Sequence, residues 1–230
     1  MGDAASLYSS APMQVLLARE MAALAPILSG AYGNYGLILR PRHGGATVPP
    51  HLLGNIVEID IDENGCLAGD VRCVPWQLPF ASQSFNVLIV QHALERIEHI
   101  DDCAAEFARV LAPEGIVLML GFNPFGTWRP WLLRRERDLR LRSARVCEAQ
   151  LAREQIDTLQ IRFPGLLWPR AEAAVRPERS IHTALARFGS SWLLIARKRR
   201  STLTPMRLRA ASRGGARAPQ LAPGAHRNRA

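Results

Sequence analysis

The sequence predicts an α/β domain in which helices cover both faces of a largely parallel sheet, and three observations lead to this prediction. Residues 87–90 and 116–120 are short apolar runs rich in Val and Ile, which is typical of buried strands. Residues 101–111 between them have helical character, and Pro113-Glu114-Gly115 stops that helix. Two strands that are apolar on both sides and joined by a helix form a βαβ unit of a three-layer sheet.

Length and composition fit a single domain with tails. The chain has 230 residues, and 48% of them are apolar, which is enough for a full core. The four cysteines show no CxxC or metal-ligand spacing, so we expect reduced thiols and no metal. No secretory signal is visible and no apolar run approaches the roughly 20 residues of a membrane span. We therefore expect a cytoplasmic protein without a membrane span.

Charge divides the chain into regions. The formal net charge is +9, and no acidic residue follows Glu178. We expect a disordered N-terminus at 1–10, a folded domain at 11–197 and a basic disordered tail at 198–230. The arginine-rich tail is suited to weak contact with nucleic acid, and the alternative is a tail that only keeps the protein soluble.

The N-terminal elements lead into the first strand. Residues 12–28 have the apolar spacing of an amphipathic helix. Gly30, Gly33 and Gly36 follow, but a phosphate-binding loop comes after its strand, and the strand candidate here is 37–39. The glycines therefore predict a turn into the first strand. Pro49 and Pro50 make a long helix after that strand unfavourable.

The next region predicts an antiparallel hairpin. Val57, Ile59 and Ile61 alternate with acidic residues, and the hairpin signal Asn64-Gly65 comes before a return run at 66–74. The alternating acidic residues are Glu58, Asp60 and Asp62. They are either the solvated side of an edge hairpin or ligands of a cation or a ribose.

The region after the central unit predicts a tight loop, a helical segment and two late strands. The loop is 121–126, and the helical segment, 128–157, carries seven arginines up to Arg145. These arginines form either a solvated face with pairs four residues apart or a phosphate-binding surface. Residues 159–163 and 191–196 are strand candidates that would close one edge of the sheet.

Several motifs in the centre resemble type 11 class I methyltransferases. They are Leu-Pro-Phe at 78–80, Ser-Phe-Asn-Val at 84–87, Gln-His-Ala-Leu-Glu at 91–95 and Arg-Val-Leu-Ala-Pro-Glu-Gly at 109–115. Asn86 stands where that family usually has Asp, and Arg96 where it often has His. Gly-Phe-Asn-Pro at 121–124 and the strand at 194–199 resemble a small bacterial subgroup with a degenerate glycine-rich cofactor loop.

The resemblance implies a Rossmann-like doubly wound sheet of seven strands, with the hairpin in place of strands two and three, and S-adenosylmethionine as cofactor. Anchored on the motif at 78–80, the usual adenine-binding Asp falls on Val74, whose backbone can serve, while Asp70 lies four residues too early. The implied cofactor-binding residues are Gly44, Gly45, Asp60, Asp70, Val74, Gln91 and His92. His92 is also the implied catalytic base, unless it only hydrogen-bonds its loop. Asn123 and Pro124 are implied to line an acceptor pocket or to shape the loop.

Two hypotheses about function follow. The chain is either an S-adenosylmethionine-dependent methyltransferase with an unidentified acceptor, or a catalytically inactive module of the same fold. The inactive module would bind nucleic acid or protein through its basic helix and tail. A pocket open above His92 would favour the enzyme, and one filled by Tyr32, Tyr35 or Trp76 would favour the binding module.

Overall fold

A seven-stranded sheet with the order β3-β2-β1-β4-β5-β7-β6 forms the centre of the protein in the computed structural model. The model describes residues 7–42, 47–62, 65–68, 73–169 and 185–200. The strands are β1 Tyr32–Pro41, β2 Leu52–Ile61, β3 Leu67–Ala68, β4 Phe85–Gln91, β5 Leu111–Phe122, β6 Ile156–Arg162 and β7 Ser191–Lys198. The α-helices are α1 Ala11–Leu28, α2 Ile100–Val110, α3 Arg129–Arg135 and α4 Ala144–Arg153.

The central strands of the sheet run in one direction. β1 pairs in parallel with both β2 and β4, and β4 pairs in parallel with β5. β7 is antiparallel to β5 and to β6, so the two late strands close one edge as predicted. Strand order reverses between β1 and β4, and ligands of open α/β sheets bind beyond the carboxyl ends of the strands at such a point.

The predicted hairpin is present at the other edge. β3 pairs antiparallel with β2 through Asp60 and Ala68, and the backbone N–H of Asp62 donates to Cys66 O at 2.8 Å. β2 itself begins earlier than predicted, at Leu52, and lies parallel to β1 over its whole length. β2 therefore keeps the place of the second parallel strand of the sheet. Only the strand next to β2 is replaced, by the short antiparallel β3.

Apolar side chains cover both faces of the sheet. Helices α2 and α4 pack on one face, where Phe107 and Leu151 are fully buried. The second half of α1 packs on the other face through Met21 and Leu24. The first half of α1 belongs to a third cluster, with Phe122 and Trp128, beyond the end of β5.

The N-terminal region differs from the prediction of disorder over 1–10. Leu7–Ser9 is a 3-10 helix, and Leu7 and Tyr8 are buried because they pack in the cluster beyond β5. Helix α1 is the one helix of the described part of the chain that is long and apolar enough to cross a membrane. Seven of its 18 residues, Glu20 among them, are buried in this fold.

Three other boundaries differ from the predictions. Gly33 and Gly36 lie inside β1 and not in a turn, because the strand already begins at Tyr32. Residues 136–143 break the predicted helical segment: Arg140 N and the Arg142 side chain bond backbone carbonyls of residues 94–98, which holds the chain out of a helix. β7 extends to Lys198, whose ammonium donates to Ala108 O and Leu111 O.

The tail is a separate unit. Contacts within the chain divide it into Met1–Arg200 and Ser201–Ala230. The second unit lies outside the described residues, so the prediction for the tail stays a prediction.

Candidate functional site at the carboxyl edge of the sheet

Four parallel strands end at one edge of the sheet and present the candidate site. The last residues of β1, β2, β4 and β5 are Pro41, Ile61, Gln91 and Phe122. The strand register aligns Leu39 with Val90 and Gln91 with Leu120, so these ends lie side by side. His92 is the first residue beyond β4, where the sequence predicts chemistry.

His92 is enclosed between two carboxylates. Its Nε2 lies 2.9 Å from Glu20 Oε2, and its Nδ1 lies 3.3 Å from Glu95 Oε1. The ring stacks on Phe122 with 3.9 Å between ring centroids. The side chain has no exposed surface, and neither has that of Glu20. His92 also adopts a left-handed backbone conformation, with φ of 47°, that turns the chain away from the strand.

The charge state of the ring follows from this geometry. Burial lowers the pKa of His92, but Glu20 and Glu95 raise it by more, to about 10. The imidazole is therefore doubly protonated near neutral pH and donates one N–H to each carboxylate. An imidazolium without a lone pair cannot accept a proton. A protonated and enclosed ring disfavours a catalytic base at His92, and the predicted roles of His92 as a base and in cofactor contact stay predictions.

The cluster around His92 joins four chain segments. Gln91 Nε2 donates to Glu20 Oε2 at 3.0 Å, and Phe122 N donates to Glu95 Oε1 at 2.7 Å. Tyr8 reaches the backbone of the same residue, with its hydroxyl 3.4 Å from His92 O. The N-terminal segment, β4, the 3-10 helix Leu94–Arg96 and β5 thus meet at one charged centre. We call Glu20, Gln91, His92 and Glu95 the His92 cluster.

The space above His92 is filled from an unexpected direction. Tyr8, Glu20 and Phe122 enclose the ring, whereas Tyr32, Tyr35 and Trp76 are 81%, 49% and 41% exposed. Tyr32 and Tyr35 lie at the amino end of β1, which is the opposite edge of the sheet. Tyr32, Tyr35 and Trp76 therefore do not fill the space above His92, and the residues that enclose its ring are others.

The acidic residues of the hairpin have partners on neighbouring backbone and side chains. Arg40 of β1 lies opposite Asp60 in the register, hydrogen-bonds Glu58, and has its Nε 3.7 Å from Asp60 Oδ1. Asp62 directly follows β2, and its Oδ1 accepts from Cys66 N at 2.9 Å. Glu58 therefore fits the interpretation of a solvated face. Asp60 and Asp62 lie at the end of β2, where they are still candidates for binding a ligand.

The other predicted cofactor residues are only partly placed. Gly44, Gly45 and Asp70 lie outside the described residues. Val74 is half-buried, and its carbonyl accepts from Gln77 N at 2.9 Å. Gln91 is buried, and its Oε1 has no hydrogen-bond partner among the described residues.

The loop after β5 separates the roles of the two predicted acceptor-pocket residues. Asn123 is buried, donates from Nδ2 to Arg187 O and Gly189 O at 2.7 and 3.0 Å, and accepts from Phe125 N. It therefore shapes the loop. Pro124 instead lines a cavity of about 350 Å³. The cavity is lined by Pro124, Phe125, Arg129, Leu133, Leu139 and Leu141.

The described part of the chain shows no cluster of metal ligands, and its two buried cysteines are unreactive. Its His, Cys, Asp and Glu residues form no group of three or more that could hold a metal ion. Cys103 and Cys147 are free and buried, and burial raises the pKa of both thiols to about 12. They are thus inert thiols of the core.

Glu20 and Tyr8 are the site residues that the sequence reasoning missed. Glu20 lies on the buried face of α1 with Leu16, Leu17 and Met21. A carboxylate on the apolar face of an amphipathic helix is costly to bury unless a cationic or donor group meets it. That signal was present in the sequence, but it does not identify a partner 72 residues away.

Comparisons with known proteins agree with this architecture. Residues 45–119 match the family model described as a methyltransferase domain. Among solved structures, an S-adenosylmethionine-dependent methyltransferase from Mesorhizobium loti is 16% identical at a TM-score of 0.53, covering 79% of this chain and 98% of its own. A SAM-dependent methyltransferase from Thermotoga maritima is 11% identical at 0.53, with 84% and 93% covered. No curated protein matches the chain significantly.

A third solved structure is that of a geranyl diphosphate methyltransferase in complex with SAM. It is 16% identical at a TM-score of 0.50, and the match covers 79% of this chain and 85% of that one. At such identities the likeness is one of fold. The chain therefore has the class I methyltransferase fold, and the resemblance to type 11 methyltransferases is confirmed by the family model over residues 45–119.

Proposed function

We propose that the protein is an S-adenosylmethionine-dependent methyltransferase that binds its cofactor across the carboxyl ends of β1, β2 and β4. The observation that carries the proposal is the match of residues 45–119, because this stretch includes β2, β4 and their carboxyl ends. The strand order reverses between β1 and β4, and that is where α/β sheets bind nucleotides. The methyl acceptor is a molecule still to be identified.

The described residues at this edge fit the cofactor. S-adenosylmethionine presents a cationic ammonium and sulfonium group and ribose hydroxyls, and oxygen acceptors bind all of these. Asp60 and Asp62 supply carboxylates at the end of β2, and Gln91 supplies a buried oxygen without a partner among the described residues. Asp62 would hold the ribose, because it is the first residue beyond the strand.

The chemistry asks for position more than for a base. When bound, S-adenosylmethionine would supply an activated methyl group, and the bond from that methyl to sulfur would break as a lone pair of the acceptor formed the new bond. Holding the two groups in line supplies most of the acceleration. His92 is protonated and enclosed, so this side chain removes no proton from the acceptor. Its role here is to fix the end of β4 beside the cofactor.

Calorimetric titration with S-adenosylmethionine and S-adenosylhomocysteine tests the proposal. We expect both ligands to bind, and Asp62→Asn to weaken them about 10- to 100-fold, since hydrogen bonds to a charged group contribute about 1.5–3 kcal/mol. Asp157→Asn is the matched control, because Asp157 pairs with Arg199 on the surface at β6. Absence of heat at millimolar ligand, or equal weakening by both substitutions, would overturn the proposal.

Two observations favour the second candidate, a catalytically inactive binding module. The closed His92 cluster and the pairing of Arg40 with Glu58 and Asp60 leave less of the edge open to a ligand. In that case the arginine-rich region around α3 binds a nucleic-acid or protein partner. Failure of both cofactor titrations together with retention on immobilised nucleic acid supports this candidate.

A further inference from the structure

We propose that the cavity beside β5 binds a small amphipathic anion, a molecule with an apolar body and one carboxylate, sulfonate or phosphate group. That this ligand is also the methyl acceptor rests on the proposed function, whereas its binding does not.

Five of the six described residues that line the cavity have apolar side chains. Pro124, Phe125, Leu133, Leu139 and Leu141 contribute hydrocarbon surface. Phe125 is 76% exposed, so its ring is available to a ligand. A ligand that enters the cavity would remove this surface from water, at roughly 25 cal/mol for each Å² of apolar area buried.

Arg129 is the single charged residue among the described residues of the lining. It is exposed at the start of α3, and none of the carboxylates in the described part of the chain pairs with it. Two other arginines, in contrast, have carboxylate partners: Arg96 pairs with Glu136, and Arg140 pairs with Glu98. A guanidinium beside apolar surface binds a planar anion through two parallel hydrogen bonds. The lining is thus complementary to one negative charge attached to an apolar body.

The walls are held in place by the fold, so the cavity does not depend on an induced shape. Asn123 bonds the backbone of residues 187 and 189, and Thr127 N donates to Phe188 O at 3.0 Å. A Cβ added at Gly126 would lie 2.4 Å from Gly189 O, which shows how closely the two loops approach. Leu139 is buried in the cluster beyond β5. Pre-formed walls reduce the entropy lost on binding.

Size limits the ligand to a small molecule. The cavity holds about 350 Å³. At roughly 30 Å³ for each water-sized group, this corresponds to about a dozen non-hydrogen atoms. A single concave apolar site of this volume suits a medium-length alkyl or aryl anion, and it differs from the extended basic groove with several stacking platforms that binds a nucleic-acid strand.

Three decyl compounds below their micelle concentrations test the proposal: decanoate, decanol and decyltrimethylammonium. Binding is measured by calorimetry on the full chain without cofactor. We expect decanoate to bind at least tenfold more tightly than the neutral and cationic compounds, because only the anion engages Arg129. Equal affinity for the anion and the cation, or no binding of decanoate, overturns the proposal.

Two variants locate the site. Arg129→Gln should weaken decanoate about tenfold and remove its advantage over decanol. Arg134→Gln, an exposed arginine of the same helix that does not line the cavity, should leave decanoate unchanged. Leu133→Trp should block the cavity and so weaken decanoate. Leu133→Trp could also disturb folding, but Arg129→Gln changes only an exposed residue, so the test does not depend on the folding of the Leu133 variant. If both arginine variants weaken decanoate equally, the site is a diffuse basic surface and the proposal is overturned.

The outcomes also separate this site from the methyltransferase activity. Decanoate binding without any cofactor heat supports the cavity and overturns the proposed function. If the cofactor binds but decanoate does not, the proposed function is supported and the proposed ligand of the cavity is overturned. Oligothymidylate and anionic vesicles are tested as competitors of decanoate, with and without the Arg134→Gln substitution. If they compete only when Arg134 is intact, the small-molecule site is overturned in favour of a surface that binds a polyanion.

Discussion

The ion pair between Glu20 and His92 holds α1 on the end of β4, and Glu20→Gln tests how much it contributes. The Nε2–Oε2 distance is 2.9 Å and both side chains are fully buried. Removing one partner of a buried pair costs about 3–5 kcal/mol, because it leaves the other charge without compensation. A domain of this kind is stable by roughly 5–15 kcal/mol, so we expect a large fall in the urea midpoint.

Glu98→Gln is the matched control. It is the same substitution in an ion pair with Arg140 at 2.9 Å, but Glu98 is 61% exposed. Exposed pairs contribute about 0–1 kcal/mol, so this variant should unfold almost like the parent chain. Unfolding is followed by tryptophan fluorescence, since Trp128 and Trp192 are buried in the folded state. Equal losses in the two variants would refute the reasoning.

The pH dependence provides a second readout of the same pair. Glu20 and Glu95 raise the pKa of His92 to about 10 in the folded state against burial, from an unfolded value of about 6.5. Between these two values the folded state binds more protons than the unfolded state, so stability must fall as pH rises. The contribution is complete below about pH 6.5 and is lost as pH rises through about 10. Glu20→Gln should flatten this slope, and an unchanged slope would contradict the protonated ring.

Two further predictions concern the opposite edge and α2. Gly33 has a φ of 147°, and an added Cβ would lie 2.2 Å from Asn86 Cγ, so Gly33→Ala should lower the free energy of unfolding by about 1–3 kcal/mol. Gly30→Ala, where the nearest atom is 3.8 Å away, should change it little, and a similar loss in both would contradict the argument. Hydrogen bonds from Arg109 lower the pKa of Glu106 against the effect of burial. The pair should therefore stabilise the fold above about pH 4.3 and lose that contribution as pH falls, a dependence that Glu106→Gln should reduce in acid unfolding.

The elements that local patterns encode were predictable. The apolar runs that became β4 and β5, and the Asn64-Gly65 signal of the hairpin, each act over a few residues. Glycine was harder to interpret. Gly33 resembles a turn residue, but in β1 it provides space for the side chain of Asn86, whose Oδ1 accepts from Asn34 N at 2.9 Å. The contact spans more than 50 residues, so no local pattern contains it.

In the candidate site, too, the features that depend on contacts between distant residues could not be predicted from the sequence. The position of His92 at the end of a central strand was predictable from strand order, because catalytic groups of α/β sheets gather there. Its protonation was not predictable, since it depends on Glu20, which tertiary packing brings from α1. The break at 136–143 has a similar origin, in bonds between Arg142 and carbonyls of residues 94–98. Long-range polar pairing decided both features.

If the protein is the proposed methyltransferase, closure of the His92 cluster affects which acceptors it can use. The side chain that occupies the usual position of a base holds its protons until about pH 10, and Phe122, Tyr8 and Glu20 separate it from solvent. A methyltransferase built in this way acts by alignment, so an acceptor that carries its own lone pair or negative charge suits it better than one that must first lose a proton. The cavity beside β5, with Arg129 in an apolar lining, independently favours an anionic ligand. The two features are therefore consistent with one chemistry: an acceptor already ionised in solution, positioned by its charge and its apolar body.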